Sequence, residues 1–361
     1  IEHVWIPLED GARLSARLWL PETGAPVPAV VEYIPYRKRD DTRWRDEPMH
    51  GYFAGHGYAC VRIDVRGSGA SDGVLEDEYS EAEWADGLQA LRWVAAQPWC
   101  DGRIGLMGKS WGGINALQIA ALQPPELRGG IRVCSSDDRW TTDAHWMGGC
   151  PLIENLTWGA VLQTLAMRPQ DPDLVGAGWR ATWLERLAST PFYAARWLGH
   201  DTRDAYWRRG SVVEAYERIR VPVLAVSGWA DAYADTVPRL LTGLRAPARG
   251  WVGPWVRRLP AGGRRVVGRL PARRPHGGRA GIPRLDARSG GETLGGGGLA
   301  RSMGGGGGVA LPPDPILGAA AERAARRRGG RPLDGRRGDR RRCVVPLRAE
   351  RTPVRAAAGR C

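Results

Sequence analysis

The chain has 361 residues, enough for one large domain or two with a substantial core, and no apolar run of 18 residues that would cross a membrane. Its formal charge of +13 sits at one end: residues 256–361 hold 25 Arg, no Lys and 7 acidic residues, a net of +18, which leaves −5 for residues 1–255. The body is therefore mildly acidic, and a nucleic-acid binder would rest on tail charge alone, without interleaved aromatics.

The first residue is Ile1, and no basic segment with an apolar run follows it; the expectation is a start further upstream and no signal peptide. Val4-Trp5-Ile6-Pro7-Leu8 and Leu14 to Leu20 alternate at period two around Asp10-Gly11 and predict a β-hairpin. Pro28 to Tyr33 and Tyr58 to Asp64 are apolar enough for buried strands, the second ending in the turn-rich Arg66 to Gly73. From Glu81 to Ala96 apolar positions recur at three and four (Trp84, Leu88, Leu91, Val94, Ala95), which predicts a helix. Arg103 to Met107 is a short buried strand, Gly108-Lys109-Ser110-Trp111-Gly112 follows, and Gly113 to Leu122 is apolar at helical spacing until Pro124-Pro125 stops it. Strand, glycine-flanked turn and helix around G-x-S-x-G is the geometry of a nucleophile elbow, in which a Cβ at the flanks would collide with neighbouring backbone. Ser110 is accordingly the candidate nucleophile; the bland alternative is an ordinary serine in a β-to-α turn.

A strand at Leu127 to Ser135 comes next, and the strand rhythm then stops between Asp137 and Gly210. That stretch contains Trp140, Trp146, Trp158, Trp179, Trp183, Trp197 and Trp207, with helical periodicity from Ala177 to Leu187. It reads as a helical cap over the C-terminal edge of the sheet, its aromatics either lining a pocket or welding the cap to its base. Val221 to Ser227 is a late strand and Arg249 to Gly253 begins one more. Alternating strands and helices with apolar strands predict a mainly parallel sheet covered on both faces.

A serine hydroxyl needs a base and an orienting acid, which in this arrangement follow it in the order acid, then histidine. The acid belongs after the late strand, where Gly228-Trp229-Ala230-Asp231 stands; Asp231 is preferred to Asp235, which suits the first turn of a helix. The oxyanion donors should be the Trp111 amide and a group from Ile34 to Arg39, where Tyr36 offers a hydroxyl that could equally lie in water. The cysteines (Cys60, Cys100, Cys134, Cys150, Cys343, Cys361) lack C-x-x-C spacing, and Cys60 and Cys134 read as buried free thiols. A reduced, cytoplasmic protein without a zinc site is expected.

The tail is compositionally foreign. Of its 106 residues 73 are Arg, Gly, Ala or Pro, whose codons begin with G or C at both leading positions, and it has no Trp, Tyr, Phe, Lys, Asn or Gln. A reading-frame error near Trp255 is one expectation; a disordered low-complexity basic tail is the other.

Pro35-Tyr36-Arg37-Lys38, Asp64-Val65-Arg66-Gly67-Ser68-Gly69, Gln97 to Gly102, Gly108 to Gly113, Gly228-Trp229-Ala230-Asp231 and Gly253-Pro254-Trp255 together resemble the cocaine esterase and X-Pro dipeptidyl-peptidase (CocE/NonD) family of α/β-hydrolases, in the family's order. The resemblance implies Ser110 as nucleophile, Asp231 as triad acid, and the Tyr36 hydroxyl and Trp111 amide as oxyanion donors, with no metal or cofactor. It implies a small ester or short Xaa-Pro peptide as substrate; the residues themselves point to no specific nucleic acid and no membrane, and the oligomeric state stays open. The family places its histidine shortly after a Gly-Pro-Trp, whereas Val256-Arg257-Arg258-Leu259-Pro260 follows here. His276 is the one histidine beyond residue 255 and hence the remaining candidate in chain order; His50 and His56, near Tyr36 in sequence, suit structural roles. Nothing in the tail resembles the family's C-terminal jelly-roll domain. The expectation is an α/β-hydrolase core (residues 1–136 and 211–255), a helical cap insertion (137–210) and a poorly structured tail (256–361). As to function, it is a serine hydrolase or, lacking its base, a catalytically crippled relative.

Overall fold

The computed structural model describes residues 1–254. The predictions made for residues 255–361, including His276 and the nature of the tail, lie outside the described residues. In chain order the elements are β1 (Glu2–Pro7), β2 (Arg13–Trp19), β3 (Val27–Ile34), α1 (Arg43–Ala54), β4 (Ala59–Asp64), α2 (Glu81–Ala95), β5 (Cys100–Lys109), α3 (Trp111–Ala121) and β6 (Leu127–Val133). A small hairpin of β7 (Trp146–Met147) and β8 (Cys150–Pro151) follows. After it come α4 (Glu154–Met167), α5 (Pro172–Val175), α6 (Trp179–Ser189), α7 (Tyr193–Leu198), α8 (Ala205–Arg209), β9 (Val223–Gly228), α9 (Thr236–Gly243) and β10 (Ala248–Gly253).

Eight strands form one sheet in the order β1-β2-β4-β3-β5-β6-β9-β10. The predicted hairpin is β1 and β2, paired antiparallel with Ile6 opposite Leu14, and β2 joins β4 antiparallel. From β4 to β10 every pairing is parallel. Strands buried on both faces are mostly apolar; all six residues of β4 and of β9 are buried, with Arg62 and Asp64 of β4 paired to each other. The order reverses at β3: the chain goes to one side of it to make β4 and returns to the other to make β5. At such a switch point the loops leaving neighbouring parallel strands part, and a crevice opens above their C-terminal ends. The loops in question carry Tyr36 and Ser110.

Two elements depart from simple periodicity. Helix α1 contains Pro48 and is weakly amphipathic, so periodicity does not mark it. Strand β5 begins at Cys100, earlier than its apolar run, because the chain pairs there with Val27 before an irregularity restores regular register at Ala29.

The segment expected to form a cap, residues 137–210, is tied by hydrogen bonds to the loops after β3 and β4. Arg186 of α6 is buried and donates to the carbonyls of Gly69, Ser71 and Gly73, in the loop after β4. Arg37, in the loop after β3, donates to the carbonyls of Arg168 and Pro169. Most cap tryptophans weld rather than line. Trp197 and Trp207 are fully buried, and Trp140 stacks on Trp146 at 4.0 Å between ring centroids. Trp158 is the exception that reaches the site, its ring 6.1 Å from that of Tyr36.

Candidate active site

Ser110 stands between β5 and α3 with φ 56° and ψ −119°, a conformation that L-residues rarely adopt. Holding a non-glycine residue there costs on the order of 1–3 kcal/mol and persists only where the surroundings over-determine it. The flanking glycines are what allow it. A Cβ on Gly108 would lie 2.3 Å from the Gly112 carbonyl carbon, and one on Gly113 would lie 2.3 Å from Ser135 Oγ. The elbow predicted from the pentapeptide is thus present, with Ser110 partly exposed at its tip.

Tyr36 reaches the same point from β3. Its hydroxyl donates to Ser110 Oγ at 3.3 Å and accepts the Trp111 amide N–H at 3.3 Å. Burial pushes the phenol up to about 12, against its hydrogen bonds with Ser110 and Trp111, so it is a neutral O–H donor at physiological pH. The loop that carries it is fastened beneath. Lys38, wholly buried, bonds Asp64 through both its amide (2.9 Å) and its ammonium (3.2 Å), and Ser68 donates to the Pro35 carbonyl.

Asp231 follows β9 directly. Its carboxylate accepts the Tyr233 amide at 3.0 Å and the Ser227 hydroxyl at 3.3 Å. The Cys134 thiol, next to the end of β6, hydrogen-bonds it too; burial and that carboxylate push the thiol up to about 11. Cys134 and Cys60 are buried thiols, as expected. Tyr233, whose amide donates to Asp231, is a neighbour that sequence reasoning missed: burial pushes its phenol well up, and the negative charges of Asp143, Glu78 and Asp231 act in the same direction. Asp235 is committed elsewhere, accepting from Thr142 Oγ1 (2.8 Å) and Arg239 Nη1 (2.5 Å) at the N-terminal end of α9.

The base is what the described residues lack. His3 bonds Ser15, His56 bonds the Tyr52 carbonyl, His200 bonds Asp204, and His50 lies 3.4 Å from Glu32. His145 is buried between Glu78 (2.7 Å) and Asn155 (2.8 Å). Among the described residues, no histidine hydrogen-bonds Ser110 or Asp231.

Two buried carboxylates lie behind the constellation, and composition gave no hint of either. Glu78 takes Trp158 Nε1 at 2.6 Å, His145 Nε2 at 2.7 Å and Arg139 Nη2 at 2.5 Å, tying cap to core. Although burial opposes it, these cationic and N–H partners, His145 first, hold its carboxyl down at about 2. Glu83, three residues after the N-cap Ser80, takes Trp111 Nε1 at 2.7 Å, and burial pushes its carboxyl up to about 7. The Ser80-x-x-Glu83 spacing signals a capping pair, but not that the carboxylate turns beneath the elbow.

A third cluster, Glu32, Asp46 and His50, brings together donors that suit a cation. Two guanidiniums already supply that charge: Arg45 Nη2 lies 2.7 Å from Glu32 and 2.6 Å from Asp46, and Arg62 Nε 3.1 Å from Asp46. It is an ion-pair cluster joining α1 to β3 and β4. No helix among the described residues is long and apolar enough to cross a membrane.

Residues 10–256 match the family described as X-Pro dipeptidyl-peptidase (S15 family). The chain is 28% identical over 277 residues to the cocaine esterase of Rhodococcus sp. (strain MB1 Bresler), covering 70% of this chain and 48% of that one. It thus spans about half the length of this relative. Among solved structures it is similar to a CocE/NonD family hydrolase from Staphylococcus aureus (TM-score 0.56, 19% identity, 70% of this chain and 45% of that one). It is equally similar to an aminopeptidase from a marine sediment Thaumarchaeota archaeon (TM-score 0.56, 19% identity, 70% and 48%). At that identity the likeness establishes the fold, that of the α/β-hydrolases.

Proposed function

This chain belongs to the X-Pro dipeptidyl-peptidase (S15) family, and from that premise we propose that it is a serine hydrolase acting on a small ester or a short Xaa-Pro peptide through an acyl-enzyme on Ser110. One observation carries the reading: Tyr36 Oη lies 3.3 Å from both Ser110 Oγ and the Trp111 amide nitrogen. A substrate carbonyl whose carbon meets Ser110 Oγ would place its oxygen between these two donors. Attack forms the C–O bond to Ser110 while the carbonyl π electrons move to oxygen, where Tyr36 O–H and Trp111 N–H meet the charge. The serine proton passes to a base and then to the departing alcohol or amine, and water resolves the acyl-enzyme by the same steps. Asp231 is the acid that would orient and charge-stabilise that base.

A second reading has its own observation. No described histidine bonds Ser110 or Asp231, and Val256-Arg257-Arg258 stands where a histidine belongs. In that reading the chain is a hydrolase fold with little turnover, retaining only the ~10³–10⁴-fold acceleration over water that survives loss of a triad member. A panel of p-nitrophenyl esters and Xaa-Pro-p-nitroanilides, run on the full chain and on Ser110→Ala, separates the two. Saturable turnover abolished by the substitution supports the hydrolase. Rates equal in both proteins refute it.

A further inference from the structure

The side chain and the backbone of Trp111 face different ways. Its amide nitrogen is 3.3 Å from the Tyr36 hydroxyl, at the reacting centre, while its indole is buried and donates to Glu83 Oε1 at 2.7 Å. The same oxygen takes Asn115 Nδ2, one turn along α3, at 3.3 Å, and Asn115 Nδ2 also donates to the Tyr33 carbonyl of β3 at 2.6 Å. Glu83 Oε2 accepts the amide of Tyr79 at 2.9 Å, and the Tyr79 ring packs on the indole at 4.8 Å. One carboxylate from the first turn of α2 thereby fastens the first turn of α3, one oxygen holding two α3 side chains and the other the Tyr79 backbone amide.

We propose that Glu83 is a positioning residue of the oxyanion hole, holding the Trp111 indole so that the Trp111 amide stays aimed at the oxygen of the tetrahedral intermediate. The proposal rests on the reading of Ser110, Tyr36 and Trp111 above. Its physical basis is the strain one residue earlier. Relaxation of Ser110 from φ 56° turns the peptide plane between Ser110 and Trp111, and that plane carries the donor. A preorganised dipole contributes only if it does not have to reorient during the reaction. The side-chain anchor on Trp111 opposes the turn from inside the core. Glu83 itself is buried and touches neither Ser110 nor Tyr36 by any recorded hydrogen bond, so it acts through Trp111. Glutamate in either protonation state, and glutamine, keeps an acceptor oxygen for the indole.

Phenylboronic acid reads the hole without requiring turnover. Ser110 Oγ adds to the trigonal boron, one B–O bond forms and none at boron breaks, the serine proton goes to solvent, and a boronate oxygen occupies the position of the oxyanion. Dissociation constants of phenylboronic acid are measured for the full chain, Glu83→Gln, Glu83→Asp, Glu83→Ala and the core control Leu91→Ala on α2, each with its urea midpoint. Glu83→Ala and Glu83→Asp should weaken the adduct by about tenfold, the size of one lost hydrogen bond to a charged group. Glu83→Gln should stay within roughly threefold of the parent. Leu91→Ala should lose stability and leave the affinity unchanged. If Glu83→Ala does not fold, Glu83→Asp decides. Parental affinity in the alanine or aspartate variant, or a loss in Leu91→Ala as large as theirs, overturns the proposal. Absence of a tetrahedral boron signal that Ser110→Ala abolishes overturns the underlying reading of Ser110, a distinct failure.

Discussion

Replacing Glu83 with glutamine should change how stability depends on pH, and the magnitude follows from the burial of one carboxyl. Burial moves that carboxyl from an ordinary 4.5 to about 7. Between those values the folded chain holds a proton that the unfolded chain has released, so stability falls as pH rises through the window and the loss is complete above 7. At about 1.36 kcal/mol per pKa unit, Glu83 makes the fold about 3 kcal/mol less stable at pH 8 than at pH 4.5. Glutamine has nothing to titrate there and keeps an oxygen for the Trp111 indole. Other titrating groups, among them Glu78 and His145, are common to both proteins and drop out of the difference. Urea unfolding followed by tryptophan fluorescence from pH 4.5 to 8 should show the variant gaining on the parent by about 3 kcal/mol across the range. A difference that is flat with pH, or that falls, would refute the assignment of a neutral buried carboxyl at this position.

Other substitutions test other parts of the account. Tyr36→Phe removes one oxyanion donor and should lower kcat by roughly 10²–10³-fold on any ester the parent turns over, with the fold intact by circular dichroism; an unchanged kcat would remove Tyr36 from the hole. Arg139→Met leaves Glu78 and Asp143 facing each other without their buried guanidinium and should cost about 3–5 kcal/mol in urea unfolding, whereas a loss near zero would mean that His145 alone suffices. Gly113→Ala puts a methyl 2.3 Å from Ser135 Oγ and 3.1 Å from the Gly108 carbonyl oxygen, and should destabilise by about 1–3 kcal/mol; parental stability would show that the elbow is looser than described.

Much of this arrangement is legible in the sequence because it depends on local rules. Period-two alternation around Asp10-Gly11 specifies the hairpin, and the glycines around Ser110 are required by contacts under 3 Å that no other residue would tolerate. Asp231 is suggested by chain order, since it follows the C-terminal end of a parallel strand, whereas position leaves Tyr36 open and only the family resemblance singles it out. What escapes is the charge that folding buries. Lys38, Glu78, Glu83, Arg139 and Arg186 are all nearly inaccessible, although their side chains alone would suggest a solvated face. Each is paired with partners far away in sequence, such as Glu78 with Arg139 and Arg186 with Gly69. No periodicity encodes such pairings. Asp235 illustrates the converse: its neighbours in sequence suggest a simple helix-terminal residue, whereas Thr142 from the distant cap shares its carboxylate.

The central claim is that Ser110 is the nucleophile held by this elbow. Incubating the full chain with a fluorophosphonate and mapping the adduct by peptide mass spectrometry tests it most directly. The account predicts modification of the peptide containing Ser110, lost in Ser110→Ala and slowed in Tyr36→Phe. Modification at another residue, or equal labelling of Ser110→Ala, would contradict it.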